Sequence, residues 1–127
     1  MSTALVTVNA TETIAEAYVE MQVGGIRHLP VVDDRGRLVG VLSDRDLLRS
    51  LSSKKPPCVT KVMSRGVVTT SPEVNAHAAA DLMLDRQISS LPVVDDTGAL
   101  VGILTQTDYV ELARRALLGL PLGRQPD

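Results

Sequence analysis

The sequence predicts an α+β fold: two β-α-β-β-α repeats packed sheet to sheet around a pseudo-twofold axis. Three observations lead there. The stretch 29–46, LPVVDDRGRLVGVLSDRD, recurs without a gap as 91–108, LPVVDDTGALVGILTQTD. The offset that carries Leu29 to Leu91 also carries Thr7 to Thr69, Ala17 to Ala79, Met21 to Met83 and Ile26 to Ile88. In each copy, apolar residues at helical spacing precede two short strand-like runs joined by a turn. A repeat that covers nearly the whole chain is the first fact its fold must satisfy.

The elements follow in order. Residues 5–8 are a short β-like run. Thr13 and Glu16 have the spacing of a capping box, in which hydroxyl and carboxylate each satisfy an orphan backbone N–H. Ile14, Ala17, Tyr18 and Met21 then mark one face of a helix. Gly24-Gly25 stops it, because glycine accepts the left-handed conformation of a helix end. A strand runs through 29–32, with Pro30 expected at its beginning or on an unpaired edge, since proline cannot donate to a ladder. Asp33-Asp34-Arg35-Gly36 reads as a hairpin turn, and 38–42 returns as the second strand. Ser43 caps a final helix carrying Leu47, Leu48 and Leu51.

Residues 52–57 break the pattern with a basic, proline-bearing stretch. The second copy begins near Met63 and repeats the order. Residues 67–70 are its first strand, and Asn75 caps a helix through Ala76, Ala79, Ala80 and Met83. Arg86-Gln87 replaces the glycine pair, so this helix end is expected to differ. A hairpin turns at Asp96-Thr97-Gly98, and Thr105 caps a helix through Tyr109, Leu112, Ala113 and Ala116. The division is 4–53 for the first repeat, 54–65 for a linker, 66–118 for the second repeat and 119–127 for a flexible tail. Each repeat alone is marginally small, which favours burial of one against the other.

Composition excludes several classes. The 127 residues carry a formal net charge of −2, with no Phe, no Trp and only Tyr18 and Tyr109 as aromatics. That is neither the basic footprint of a nucleic-acid binder nor a set of stacking platforms for single strands. Cys58 is the only cysteine, so no intrachain disulfide forms, which suits a reducing, cytoplasmic setting. No apolar run approaches the ~20 residues of a membrane span, and the first residues lack a charged-then-apolar leader pattern.

The stretch most suited to chemistry is Gly40-Val41-Leu42-Ser43-Asp44-Arg45-Asp46 and its copy Gly102-Ile103-Leu104-Thr105-Gln106-Thr107-Asp108. Each is a strand running into a helix N-terminus, where free N–H groups and a partial positive charge suit a phosphate. Gly40 and Gly102 would let a ligand approach the backbone. Ser43 and Thr105 offer hydroxyls, and Asp46 and Asp108 accept hydrogen bonds from sugar hydroxyls. The same residues also have capping-box spacing, a purely structural reading that stands beside the first. Arg27 and His28 precede the first LPVV, and Ser89 and Ser90 the second. Arg27 and His28 are either phosphate contacts or surface residues at a strand edge. Arg45 reads as a solvated helix residue, and His77 as an exposed one. Ser43 and His28 lack the nucleophile-elbow pattern of a hydrolase, and two histidines with one distant cysteine do not make a zinc spacing.

LPVVDD, a short turn and LVGVLSDRD, preceded by a helix and a T-V strand, resemble a CBS domain. The tandem copies resemble a CBS pair, or Bateman module, over about 4–53 and 66–118. Met63-Ser64 resembles the family's lead-in, and by the offset Met1-Ser2 aligns with it. The resemblance implies a stand-alone regulatory module, not an enzyme. It implies an adenosine-containing ligand in the clefts between repeats, such as AMP, ADP, ATP or S-adenosylmethionine, with no other cofactor and no metal. Asp46 and Asp108 are then the ribose holders. Arg27 and His28 become phosphate contacts that make one cleft the more basic. Partners implied are a second copy in a homodimer, with contacts near Ala79, Met83, Leu112 and Ala116, and a regulated protein; nucleic acid and membrane are not. The competing function is a ligand-independent module for dimerisation or partner docking.

Overall fold

The computed structural model describes residues 5–51, 55 and 57–120. Met1-Ser2, most of the stretch 52–57 and the tail beyond Leu120 therefore lie outside the described residues.

The first repeat is built from β1 (Val8–Asn9), α1 (Ile14–Gly24), β2 (His28–Val32), β3 (Leu38–Ser43) and α2 (Asp44–Leu51). The second has α3 (Ala76–Arg86), β4 (Ser90–Val94), β5 (Leu100–Thr105) and α4 (Gln106–Leu117). Thr13 and Glu16 close the expected capping box, and Asn75 Oδ1 accepts from Ala78 N at 2.8 Å. Helix α1 ends on Gly25 at φ 60°. The end of α3, expected to differ, has the same left-handed shape, with Gln87 at φ 54°. Only the residue type differs, and a side chain there carries a steric cost that glycine avoids.

In each hairpin the second strand lies antiparallel to the first, with matching registers: Leu29 opposite Leu42 and Val31 opposite Gly40, Leu91 opposite Leu104 and Val93 opposite Gly102. Alternation places Leu29, Val31 and Leu42 in the first core and Leu91, Val93 and Leu104 in the second. The turns are tied by Asp33, whose Oδ1 accepts from Arg35 N and Arg37 N, and by Asp95, whose Oδ1 accepts from Thr97 N and Ala99 N. These bonds stabilise the ionised forms. Donation from the Arg37 backbone holds Asp33 below its ordinary pKa, and donation from the Thr97 hydroxyl does the same for Asp95.

The first strands differ from expectation. In the first repeat the ladder is at Val8 and Asn9, parallel to Val31 and Val32, rather than over 5–8. In the second repeat the run 67–70 reduces to a single bridge, Thr70 opposite Val93. The cause is one residue. Ala10 N donates to Val32 O at 2.9 Å. The matching position in the second repeat is Pro72, which has no N–H to extend the ladder.

Residues 57–64 pack onto the first repeat. Ile14 N donates to Pro57 O, Val59 N to Glu12 O, and Val41 and Ser64 exchange backbone bonds at 3.1 and 2.9 Å. Val59 and Met63 are buried members of the first core. Ala79 and Met83, expected at a dimer contact, are instead buried in the second core, because they face β4 and β5 rather than solvent. Leu112 is half-buried and Ala116 exposed. Leu48 is exposed while its neighbour Leu47 is fully buried. Helix α4 ends with Gly119 N donating to Ala116 O and Leu120 N to Arg115 O, a Schellman arrangement.

The repeats meet through their turns. Leu38 N donates to Gly98 O and Leu100 N to Gly36 O, both at 3.0 Å. This reciprocal pair is what a pseudo-twofold axis requires, since each repeat offers the same groups to the other.

Candidate functional site

Two clefts of about 540 Å³ each lie between the repeats. They are related by the sequence offset. The first is lined by Leu5, Val6 and Gly25 to His28 of the first repeat, facing Ile103 and Thr105 to Thr107 of the second. The other is lined by Val67, Val68 and Gln87 to Ser90 of the second repeat, facing Val41, Ser43 and Asp46 of the first. Each cleft therefore joins the strand edge of one repeat to the helix start of the other. Each has an aliphatic floor, Val6 with Ile26 or Val68 with Ile88, and a polar end at a helix N-terminus. Such a mixture of apolar walls and few convergent polar groups is typical of small-molecule sites.

The helix starts are held the same way in both repeats. Asp46 N donates to Ser43 Oγ at 3.1 Å, and Ser43 N to Asp46 Oδ2 at 3.4 Å. Asp108 N donates to Thr105 Oγ1 at 3.3 Å, and Thr105 N to Asp108 Oδ2 at 2.8 Å. The capping reading is thus realised in both copies. It does not compete with a binding role for the aspartates, since these caps engage Oδ2 and a carboxylate has a second oxygen; the Thr105 hydroxyl, by contrast, already donates to Asp108 Oδ2 at 3.2 Å. The first helical N–H of each helix is tied to its own repeat: Asp44 N to Arg27 O at 2.9 Å, and Gln106 N to Ser89 O at 3.0 Å.

The remaining expected residues sort by face. His28 lines both clefts, as do Ser89 and Ser90. Arg27 lines the first cleft, beside the Thr105 helix start, and not the one holding Asp46. Gly40 lies on the core face of β3. A Cβ there would fall 2.8 Å from Ser64 O and 2.9 Å from Met63 Cγ. The space expected to admit a ligand is filled by Met63 and Ser64, so close packing explains this glycine. Gly102 is buried at the same register, opposite Val93.

Arg65 and Gln87 are polar lining residues that the motif pattern did not single out. Arg65 stands in the second cleft, with its Nη2 donating to Thr60 O at 3.5 Å. Its position directly after the Met63-Ser64 lead-in was the available signal. Gln87 occupies the place that Gly25 holds in the first cleft. Among the described residues no group of three or more His, Cys, Asp or Glu side chains is placed to hold a metal ion. No described helix is long and apolar enough to cross a membrane.

The comparisons with known proteins agree with this geometry. The CBS domain model matches residues 1–53 and 59–115. The inosine-5'-monophosphate dehydrogenase of Methanocaldococcus jannaschii is 35% identical over 107 residues, 84% of this chain and 21% of that enzyme. The chain spans between 17% and 57% of the length of the most similar curated relatives. Among solved structures, the CBS domain pair of protein MJ0100, in complex with 5'-methylthioadenosine and S-adenosyl-L-methionine, superposes with a TM-score of 0.81. It is 32% identical, over 91% of this chain and 93% of that one. CBSX2 in complex with AMP gives a TM-score of 0.80 at 31% identity, over 90% of each chain. Two matched repeats, two offset-related clefts and these superpositions place the chain in the CBS domain family, as a CBS pair.

Proposed function

We propose that this CBS pair is a cytoplasmic regulatory module that binds an adenosine-containing small molecule, of the AMP, ATP or S-adenosylmethionine type, in the clefts between its repeats. The observation that carries the reading is the trans construction of both clefts: an aliphatic floor from one repeat against the helix start of the other, Ser43 and Asp46 in the second cleft and Thr105 to Thr107 in the first, where Asp108 is the next residue along and not itself part of the lining. The ligands of MJ0100 and CBSX2 belong to the same chemical class. In this reading the halves are 4–53 and 66–118, joined by 54–65. Asp46 and Asp108 accept from the ribose, Ser43 donates toward phosphate, Thr105 does so by turning its hydroxyl away from Asp108 Oδ2, and Arg27 and His28 supply positive or donating groups. The aliphatic floors take the adenine faces that aromatic side chains hold elsewhere. No catalytic role is assigned, and ligand binding acts by favouring one of two shapes or assemblies.

The module is also read as a homodimer. Val19, Val23 and Leu48 on α1 and α2, and Leu84, Val110 and Leu117 on α3 and α4, are apolar and exposed, with Leu117 at 87%. A second copy covers such helix faces, and this is the observation that favours the assembly reading as a companion.

Thermal melts and calorimetry test the ligand reading. AMP, ATP or S-adenosylmethionine at 100-fold over Kd should add about 2.7 kcal/mol of stability for each cleft it fills, by mass action. Asp46→Asn and Asp108→Asn should each remove AMP from one cleft, while the lost cap alone costs only about 0.5–2 kcal/mol. No shift with any of the three ligands would sink the reading.

A further inference from the structure

The clefts share a wall. His28, Ser89 and Ser90 line both of them. His28 and Ser90 open β2 and β4, so the starts of the two strands stand where the clefts meet. The guanidinium groups are not shared, since Arg27 lines only the first of the two clefts and Arg65 only the second. The floors are separate as well. A nucleoside in one cleft meets Val6 and Ile26, and a nucleoside in the other meets Val68 and Ile88. An anionic group that reaches the common wall meets the same imidazole and the same two hydroxyls, whichever cleft holds the rest of the ligand.

Resting on the adenosyl-binding reading, we propose that the two clefts bind phosphorylated ligands anticooperatively, whereas an uncharged nucleoside fills them independently. Hydroxyls donate hydrogen bonds but do not neutralise charge, and one imidazole offers at most a single positive charge to two phosphate chains. Two anions brought to one partly dehydrated wall repel each other more strongly than in open water. The backbone adds a second link. Ser89 lines the second cleft, and its carbonyl accepts the first N–H of α4, whose start at Thr105 to Thr107 lines the first. A phosphate that shifts Ser89 from the second cleft therefore acts, through this bond, on the helix start that lines the first.

Calorimetric titration of the whole chain with adenosine and with ATP tests this. Adenosine should fill two equal sites. Because Arg27 and Arg65 make the clefts unequal toward phosphate, the step ratio is read in the Arg27→Ala, Arg65→Ala double variant, where the second ATP should still bind at least about fivefold more weakly than the first after statistical correction, at the lower end of ordinary coupling between sites. The gap should narrow as salt is raised. His28→Ala should weaken both ATP steps and leave the adenosine steps equal, while Arg27→Ala should weaken one ATP step. ATP filling both clefts with equal or increasing affinity overturns the proposal. So does a weak second step that adenosine shares, or a His28→Ala loss confined to one step. Absence of binding by both adenosine and ATP removes the underlying adenosyl reading, and the coupling with it.

Discussion

The two repeats have nearly identical hairpins and unequal cores. In the first, Val8, Ile14 and Leu47 are buried, and Val59 and Met63 join them from the segment that follows. The offset partners of the first three are Thr70, Ala76 and Tyr109, and each of these is only half-buried. Where the first repeat packs Ile14 and Leu47 into one apolar cluster, the second has a polar link: Tyr109 Oη donates to Ala76 O at 2.8 Å. Burial, with the Asp108 charge beside it, raises the Tyr109 pKa, so the phenol stays a donor. The repeated block therefore specifies a hairpin, its register and its turn. The size of each core is decided outside that block, by the helix faces and by the place where residues 57–64 dock.

Ile14→Ala breaks this comparison most severely, because it gives the first repeat the residue that the second has at Ala76. Truncating a fully buried Ile should cost about 2–5 kcal/mol, read as a lowered urea midpoint. A cost below 1 kcal/mol would mean the first core is not the stronger one.

Gly40→Ala comes next. The new methyl would press on the Ser64 carbonyl, which is fixed by its bond from Val41 N, and on Met63. Overpacking of this kind should cost about 1–3 kcal/mol. If Gly40 instead served ligand approach alone, nucleotide affinity would fall while the melting temperature stayed unchanged.

The smallest effect sharpens the comparison at the helix ends. Gln87→Gly gives the second repeat the residue found at Gly25 and relieves a side chain at positive φ. The left-handed penalty of about 1–2 kcal/mol is partly offset by the added freedom of the unfolded chain. A net gain of about 0.5–1 kcal/mol should appear in the melt. Gln87 also lines the second cleft, so a change in nucleotide affinity in this variant would mark it as a binding residue.

Much of this was legible because it is local. Thr13 with Glu16, Asn75, the two antiparallel hairpins and the left-handed Gly25 all follow from patterns a few residues long. The pairing of Ser43 with Asp46 and of Thr105 with Asp108 was visible by spacing. What spacing could not show was which cleft each group enters, because every cleft is assembled from both repeats. Arg27 and Thr105 are distant in sequence and line one space. Arg65 and Asp46 line the other. The missing second-repeat strand did have a local cause in Pro72, whose importance emerges only beside the donor at Ala10. Gly40 was misplaced by face: a strand glycine next to a helix start suits a ligand or a packed neighbour equally, and Met63 decides between them.

The reciprocal bonds between Leu38 and Gly98 and between Leu100 and Gly36 fasten the molecule at its turn ends. His28 and Ser90 begin the strands at the far ends of the same hairpins, five residues away along β2 and β4. The arrangement is mechanically a pair of tweezers, with the fastened turns as pivot and the clefts at the tips. A five-residue arm at 3.3 Å per residue is about 16 Å long, so a rotation of about 5° at the pivot moves the tips by roughly 1.4 Å. That is comparable to the small interface shifts that packed proteins amplify into a change of state. Because both tips hang from one pivot, an anionic group that spreads them at the shared wall of one cleft also moves the wall of the other.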